Sequence, residues 1–383
     1  MKTVLVDCLV LNGSRSGYRR IIVNLISRIQ SEGNRRYRYV FVFQRSGYES
    51  LDEKFSNGPL CSFIVVPSVR SKWVRGIVEQ VIVPLIAAIK RVDLIFMPST
   101  FGLAFPGRPT LTFVHTNTSF AISPEMRGRS GLQQRVHNYL LHMTARTSDF
   151  LVFTTRQTMT EFMSYTSCDV KRGSILGNGV LLRKFPSSDW WNQQHLSRNP
   201  YLLSVSQFYR LKNFDTLIRG FRRMKAAEPR WKDLRLAIVG TIQESDYHSE
   251  LMMLAAEGDD VEFFYNLSDA NLDTLYRQAT LYCQMSYFEG YSLTPAEALL
   301  HGIPALISDI PAHREVYGSM VQYADPYSEV DVAAQLAQTL AQLQVSGPNI
   351  CDQVSRNFSF ESFFQRLEDA FDHTLAHSAE KQK

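Results

Sequence analysis

At 383 residues the chain exceeds what one ordinary core holds, and 45% hydrophobic with 20% charged residues is a globular composition that predicts two domains. Its net charge of +4 is unevenly placed: residues 1–190 carry 25 Lys/Arg against 12 Asp/Glu, the remainder 16 against 25. No apolar run reaches the roughly 18 residues of a membrane span, no nucleic-acid motif accompanies the basic half, and five scattered cysteines without a C-x-x-C suggest free thiols in a reducing cytoplasm and no zinc site.

From the N-terminus, residues 3–9 read as a first strand rather than a leader peptide. The turn that follows carries Gly13, Arg15 and Gly17 before a helix over 19–30, glycines and arginines suited to an approaching anion but lacking the G-x-G-x-x-G fingerprint. Strands are expected at 39–43, 62–66, 94–97, 110–115 and 150–154, and helices at 74–90 and 132–147. The basic, aromatic-edged stretch 70–75 leads into apolar residues 77–88, a pattern that fits either a membrane-interface helix or a core helix. His115 closes its strand, a good position for a cleft residue, although a lone histidine is more often structural. Residues 185–194 lack periodicity, so the linker is placed at 185–198, between an N-terminal domain of 1–184 and a C-terminal domain of 199–357.

The second half repeats the alternation, with strands at 201–206, 235–239, 261–264, 280–285 and 304–308. Helices between and after them are expected at 214–227, 245–257, 269–278, 294–301 and 331–345. A last amphipathic helix within 358–383 either caps this domain or crosses back to the first. Gln207, Arg210 and Lys212 follow the first of these strands, and the two cations can face a diphosphate or simply form a basic loop capped by Asn213.

The densest stretch is 288–297, after the 280–285 strand. Glu289 and Glu297 stand eight positions apart, one on a turn with Gly290 and one just inside a helix. Unpaired N–H groups at a helix start favour an anion, and two carboxylates accept from hydroxyls, so the needs of a nucleotide sugar are matched. A structural reading also fits: Thr294 as N-cap, Pro295 at N1 and Glu297 at N3 compose a capping box. No serine or cysteine nucleophile elbow, no Asp-x-Asp and no ligand-spaced His/Asp/Glu cluster appears, so neither hydrolase chemistry nor an obligatory metal is indicated.

Residues 287–298 resemble the E-x7-E signature of glycosyltransferase family 4, retaining nucleotide-sugar enzymes of GT-B fold, and 301–316 are similar to the segment that follows it. Asn178-Gly179-Val180, Lys212-Asn213, 267–275 and the Gly17 loop fall where the family has related features. The resemblance implies two doubly wound Rossmann-like domains facing across a cleft and no cofactor beyond the donor. It assigns ribose hydroxyls to Glu297, a donor-sugar hydroxyl to Glu289, the diphosphate to Lys212 and the sugar's reactive face to His115. Gly290, Tyr291, Ser292, Leu293 and Thr294 would lie along sugar and phosphate, with Gln207 and Leu267 also on the donor side and Gly13, Arg15 and Gly17 in an acceptor-side loop. Three departures stand out: Gln207 replaces a usual arginine, leaving Arg210 as substitute; Thr116 replaces a frequent aspartate; Ser292 replaces a usual glycine. The expected activity is hexosyl transfer from GDP-mannose or another nucleoside diphosphate sugar to a saccharide acceptor, lipid-linked and belonging to surface polysaccharide synthesis. The expected location is cytoplasmic with peripheral contact to anionic membrane, and no nucleic-acid partner. A GT-B epimerase, a phosphorylase and a non-catalytic sugar-nucleotide binder remain open alternatives.

Overall fold

The computed structural model describes all residues except 12–16, 33–35, 52–54, 116–130, 170–171, 182–184, 186–189, 191–193, 195–198, 344–350 and 382–383. Contacts divide the chain into two units, Met1–Gly179 with Phe360–Lys383, and Val180–Ser359.

The first unit is built on seven strands: β1 (Lys2–Asp7), β2 (Tyr37–Gln44), β3 (Cys61–Val66), β4 (Leu94–Met97), β5 (Thr110–Val114), β6 (Phe150–Phe153) and β7 (Gly173–Ile175). They pair in parallel in the order β3-β2-β1-β4-β5-β6-β7. Strands β4 and β5 are buried along their whole length; β4 therefore reads as an unbroken apolar run, whereas β5 buries Thr110 and Thr112 among its apolar residues. The Gly17–Glu32 helix contributes Ile22, Leu25 and Ile26 to the core on one face, and the Phe360–Lys381 helix adds Phe363, Phe364, Leu367 and Phe371 to it. That last helix is fastened by Tyr39, whose hydroxyl donates to Glu368 Oε1 at 2.8 Å, and by an Arg28–Glu361 pair. It passes so close to Gly179 that a Cβ there would lie 2.6 Å from Phe363. The Lys72–Ile89 helix covers the other face with Val83 and Ala87.

The second unit holds β8 (Tyr201–Val205), β9 (Arg235–Gly240), β10 (Val261–Tyr265), β11 (Leu281–Gln284), β12 (Ala305–Ser308) and β13 (Gln322–Ala324). Their parallel order is β10-β9-β8-β11-β12-β13. The Phe214–Ala227, Ser245–Ala255 and Glu329–Leu343 helices pack on one face, and Asp269–Gln278, Thr294–Leu300 and Cys351–Phe358 on the other. Both sheets reverse direction of strand order beside their first strand, at β1/β4 and at β8/β11. Crevices outside the carboxyl ends of strands at such reversals are where open α/β sheets bind ligands.

Two three-residue strands, β7 and β13, and the helices Arg156–Thr166, Pro311–Tyr317 and Cys351–Phe358 join the elements expected from sequence. The three-residue strands and the helices of seven and eight residues carry too little period to register in a pattern, whereas the eleven-residue Arg156–Thr166 helix was long enough to be read and was not. The units part at 179/180 and 359/360 rather than within 185–198, because the Val180 N–H donates to the Phe358 carbonyl at 2.7 Å and Val180 bridges Ser359. Trp190, inside that expected linker, packs edge-on against Phe264 of the second unit at 5.9 Å. Among the described residues no helix is long and apolar enough to cross a membrane.

Candidate functional site

The loops leaving β8 and β11 meet at the second sheet's reversal point, and each brings one charge. After β8, Arg210–Lys212 makes a single turn of 3-10 helix that ends on Asn213, a non-glycine residue at φ 53°. One of the two sequence readings had Asn213 cap this loop, yet its side chain makes no cap bond. Instead its Nδ2 donates to the carbonyls of Met285 at 2.9 Å and Pro326 at 2.7 Å. Together with the Tyr287 N–H donating to the Leu211 carbonyl at 2.9 Å, this clamps the Lys212 loop to the end of β11.

Lys212 Nζ consequently lies 2.7 Å from Glu289 Oε1, with both side chains nearly buried (12% and 10% exposed). The same oxygen accepts from Ser286 Oγ at 2.7 Å and from Gln284 Nε2 at 2.6 Å. No donor among the described residues reaches Glu289 Oε2. Burial raises the Glu289 pKa, but the charges of Lys212 and His313 and the hydrogen bonds from Lys212 and Ser286 outweigh it, so its carboxyl titrates below the ordinary value. Burial likewise lowers Lys212, and Glu289 and Tyr209 more than restore it, so its pKa is raised. Both groups are therefore charged at neutral pH.

Gln284 is fixed from behind by the Tyr282 hydroxyl and Thr294 Oγ1, each 2.9 Å from its Oε1, while its Nε2 also reaches Ser292 Oγ at 2.8 Å. Ser292 adopts φ 67°, in the left-handed region where a glycine is the easier residue. Its Oγ contact with Gln284 and the Tyr317 hydroxyl donating to its carbonyl hold the serine in that conformation. The loop thus keeps a glycine-like path despite the substitution.

The capping-box reading of Thr294 needs correction. The helix runs Thr294–Leu300 with Leu293 as N-cap and no side-chain cap bond, so Thr294 is the first helical residue and its hydroxyl is committed to Gln284 and Tyr282. The Glu297 N–H bonds the Leu293 carbonyl at 3.0 Å, and its carboxylate, 5% exposed, accepts from the Tyr276 hydroxyl at 3.0 Å.

The other candidates are placed as follows. Gln207 is half-buried just past β8. Arg210 does not join Lys212: its guanidinium is held by Glu250 on the surface, Nη1 at 2.8 Å, and lies over the Tyr247 ring. Gly290 and Tyr291 occupy the turn after Glu289, and Leu267 packs on the core at the β10 loop. In the first unit His115 ends β5. One ring N–H donates to the Pro98 carbonyl, Nε2 has no partner among the described residues, and burial pushes the pKa down to about 4, leaving the ring neutral. Tyr18 meets it edge-on, 6.0 Å between centroids. Gly17 starts the first helix. Gly13, Arg15 and Thr116 lie outside the described residues.

Sequence reasoning missed Gln284, Ser286 and His313, and named Asn213 without its clamping role. A glutamine in an otherwise apolar central strand was a legible signal for the first. His313 offered none: it is wholly buried, its Nδ1 2.9 Å from the Ser308 carbonyl, its Nε2 unpartnered among the described residues, and its charge state is linked to Glu289 only through space.

Residues 189–345 match the family model described as Glycosyl transferases group 1. The chain is 25% identical to the O-antigen chain mannosyltransferase RfbU of Salmonella typhimurium over 56% of its length and 57% of the relative's. It is 28% identical to the mannosylfructose-phosphate synthase of Agrobacterium fabrum over 39% of its length and 36% of the relative's. The matches thus span about half or less of these curated relatives. Among solved structures, Anabaena HepE in complex with UDP and glucose superposes with a TM-score of 0.72 at 16% identity, over 97% of this chain and 100% of that one. The sucrose-phosphate synthase of Thermosynechococcus elongatus gives 0.77 at 17% identity, over 98% and 100%.

Proposed function

We propose that this chain, a GT-B fold carrying a group 1 glycosyltransferase domain, moves a hexosyl group from a nucleoside diphosphate sugar to a saccharide hydroxyl with retention at the anomeric carbon. The observation that carries the reading is the buried Lys212–Glu289 pair at the reversal point of the second sheet. One oxygen of Glu289 is saturated by three protein donors, while the other meets no donor among the described residues and is left to accept from a sugar hydroxyl. Lys212 supplies a desolvated cation beside it, whose N–H groups are strongest toward the negative charge that grows on a departing diphosphate.

In the reaction the acceptor hydroxyl oxygen bonds to the anomeric carbon, the carbon–oxygen bond to the diphosphate breaks with its electron pair going to phosphate, and the hydroxyl proton passes to a phosphate oxygen. The residues named here bind and orient; none acts as covalent nucleophile. Glu297, held by Tyr276, is suited to ribose hydroxyls, and the neutral His115 of the first unit to a sugar hydroxyl. Mannose is favoured as the sugar because the matched relatives include two named mannosyltransferases, RfbU and the lipopolysaccharide core enzyme LpsB of Rhizobium meliloti. Those names, an O-antigen chain and a lipopolysaccharide core, also favour a surface-polysaccharide acceptor, which this reading takes to be lipid-linked.

Native mass spectrometry with GDP-mannose, UDP-glucose and dTDP-rhamnose, followed by transfer assays on lipid-linked saccharides, tests this. Lys212→Ala is expected to lower turnover about a hundredfold or more, the usual effect of deleting a group that stabilises developing charge. Glu289→Gln weakens the hold on the sugar hydroxyl and leaves Lys212 without its buried counter-charge, so it is expected to lower turnover as well. Epimerised donor as product, or donor binding with no transfer to any acceptor, would overturn the transferase reading.

A further inference from the structure

The geometry points to the outer face of the Lys72–Ile89 helix as a docking surface for an anionic lipid bilayer. That helix buries Val83 and Ala87 against the first sheet, but it turns a second apolar face outward: Ile77 is 67% exposed, Val81 59%, Leu85 51% and Ile89 67%. The spacing of four places them along one stripe. Between Gly76 and Ile89 the helix shows no charged side chain to solvent, since its single acid, Glu79, is buried. Gln80 adds to the patch by pinning the β4–β5 loop: its Nε2 donates to the Gly102 carbonyl at 3.1 Å and its Oε1 accepts from the Ala104 N–H at 2.7 Å. Phe105, next along that loop, is 87% exposed.

A surface helix normally keeps polar residues on its solvent side, and an apolar stripe of this length marks something that covers it. Residues 76–89 rise about 21 Å along the axis, enough to lie flat in a headgroup layer. Charge selects the occupant. Arg70 stands exposed just before the helix and Lys90 and Arg91 exposed at its end, while Arg75 faces the buried Asp7 and Glu79 and the nearby Asp93 is engaged with the Thr3 N–H. The unit as a whole carries 26 Lys/Arg against 16 Asp/Glu. Because both ends of the stripe are basic, a second copy laid along it in either direction would set cation against cation. A negatively charged lipid surface complements both ends and the stripe between them. The surface deepens the lipid-linked acceptor reading but is measurable without it, since vesicle binding needs neither donor nor acceptor.

The test is co-sedimentation of the full chain with vesicles of equal phosphatidylglycerol and phosphatidylcholine, and with phosphatidylcholine alone. Binding to the anionic vesicles, weakened by salt, is expected. A Val81→Glu/Leu85→Glu double variant should lower partition about tenfold or more, with an unchanged melting temperature. Val330→Glu, on an exposed apolar residue of the second unit, should leave it unaltered. Should the double variant melt lower, Arg70→Glu on a solvated side chain must still weaken binding. The inference is overturned if the wild type ignores anionic vesicles or binds neutral ones equally, or if the stripe variants bind like wild type. It is equally overturned if ultracentrifugation shows a dimer that the double variant dissolves while vesicle binding persists.

Discussion

Glu289 and Asp7 are both buried carboxyls just beyond or at the end of a central strand, yet their surroundings drive them in opposite directions. Lys212, His313 and Ser286 overcome desolvation at Glu289 and keep it ionised. Asp7 has burial as its largest influence, a single backbone donor from Leu9 at 3.0 Å, and the charge of Arg75 too weak to compensate, so its pKa is pushed up to about 7. Its Oδ2 has no partner among the described residues, and the neighbouring Glu79 is raised as well. The sign of the resulting pH effect follows from proton counts. Between the unfolded value of 3.8 and about 7 the folded state holds a proton the unfolded chain has lost, so stability falls as pH rises through that window. Asp7→Asn is expected to make the decline of melting temperature between pH 5 and pH 8 shallower; a slope as steep as wild type would refute the account. Sequence could name Glu289 because a motif surrounds it. Asp7 lies within the run 3–9 that reads as a first strand, and only the packing above it reveals an acid whose pKa is raised.

Between elements, the site depends on how β8 and β11 are tied together past their ends. Asn213 does this with two buried hydrogen bonds while sitting at φ 53°. Asn213→Ala removes both bonds and leaves a side chain poorly suited to that backbone, a combined cost of about 2–4 kcal/mol. We expect a lower melting temperature and, since the Lys212 loop loses its anchor, a raised donor KM. Asn213→Gly restores the backbone freedom without the bonds, so it should recover part of the stability but not the donor affinity. Recovery of both by glycine would mean that the bonds to Met285 and Pro326 position nothing. The strands themselves were legible from their apolar runs, and so was the helix after Glu289. Its first turn was not: a threonine, proline and glutamate at capping spacing predicted one set of bonds, and nearby Gln284, Tyr282 and Tyr276 took those side chains for another.

At the scale of the whole molecule, the chain leaves its first unit at Gly179 and returns at Phe360 to complete it. Phe363, Phe364, Leu367 and Phe371 are core residues of that unit although they lie at the other end of the sequence. Removing a large buried side chain costs about 3–5 kcal/mol, and several together exceed the 5–15 kcal/mol that typically holds a domain. Deleting residues 360–383 is therefore expected to unfold the first unit and leave the second protected. Hydrogen exchange followed by mass spectrometry reads this directly, with fast exchange expected in β1–β6 and slow exchange in β8–β12. Uniform protection would show the last helix to be dispensable.

The sequence by itself determined the α/β alternation, the two-unit count, the signature carboxylates with their lysine and the excess of positive charge in the first half. Each of these is written in local composition or spacing, which a linear chain displays in full. The tertiary structure alone decided which oxygen of Glu289 is saturated, where Arg210 goes, why the Asp7 pKa is raised, which unit the last helix completes and which side of the Lys72–Ile89 helix is left uncovered. Those outcomes depend on groups far apart in sequence competing for the same donors and the same buried space, and that competition is settled only when the sheets and helices are packed.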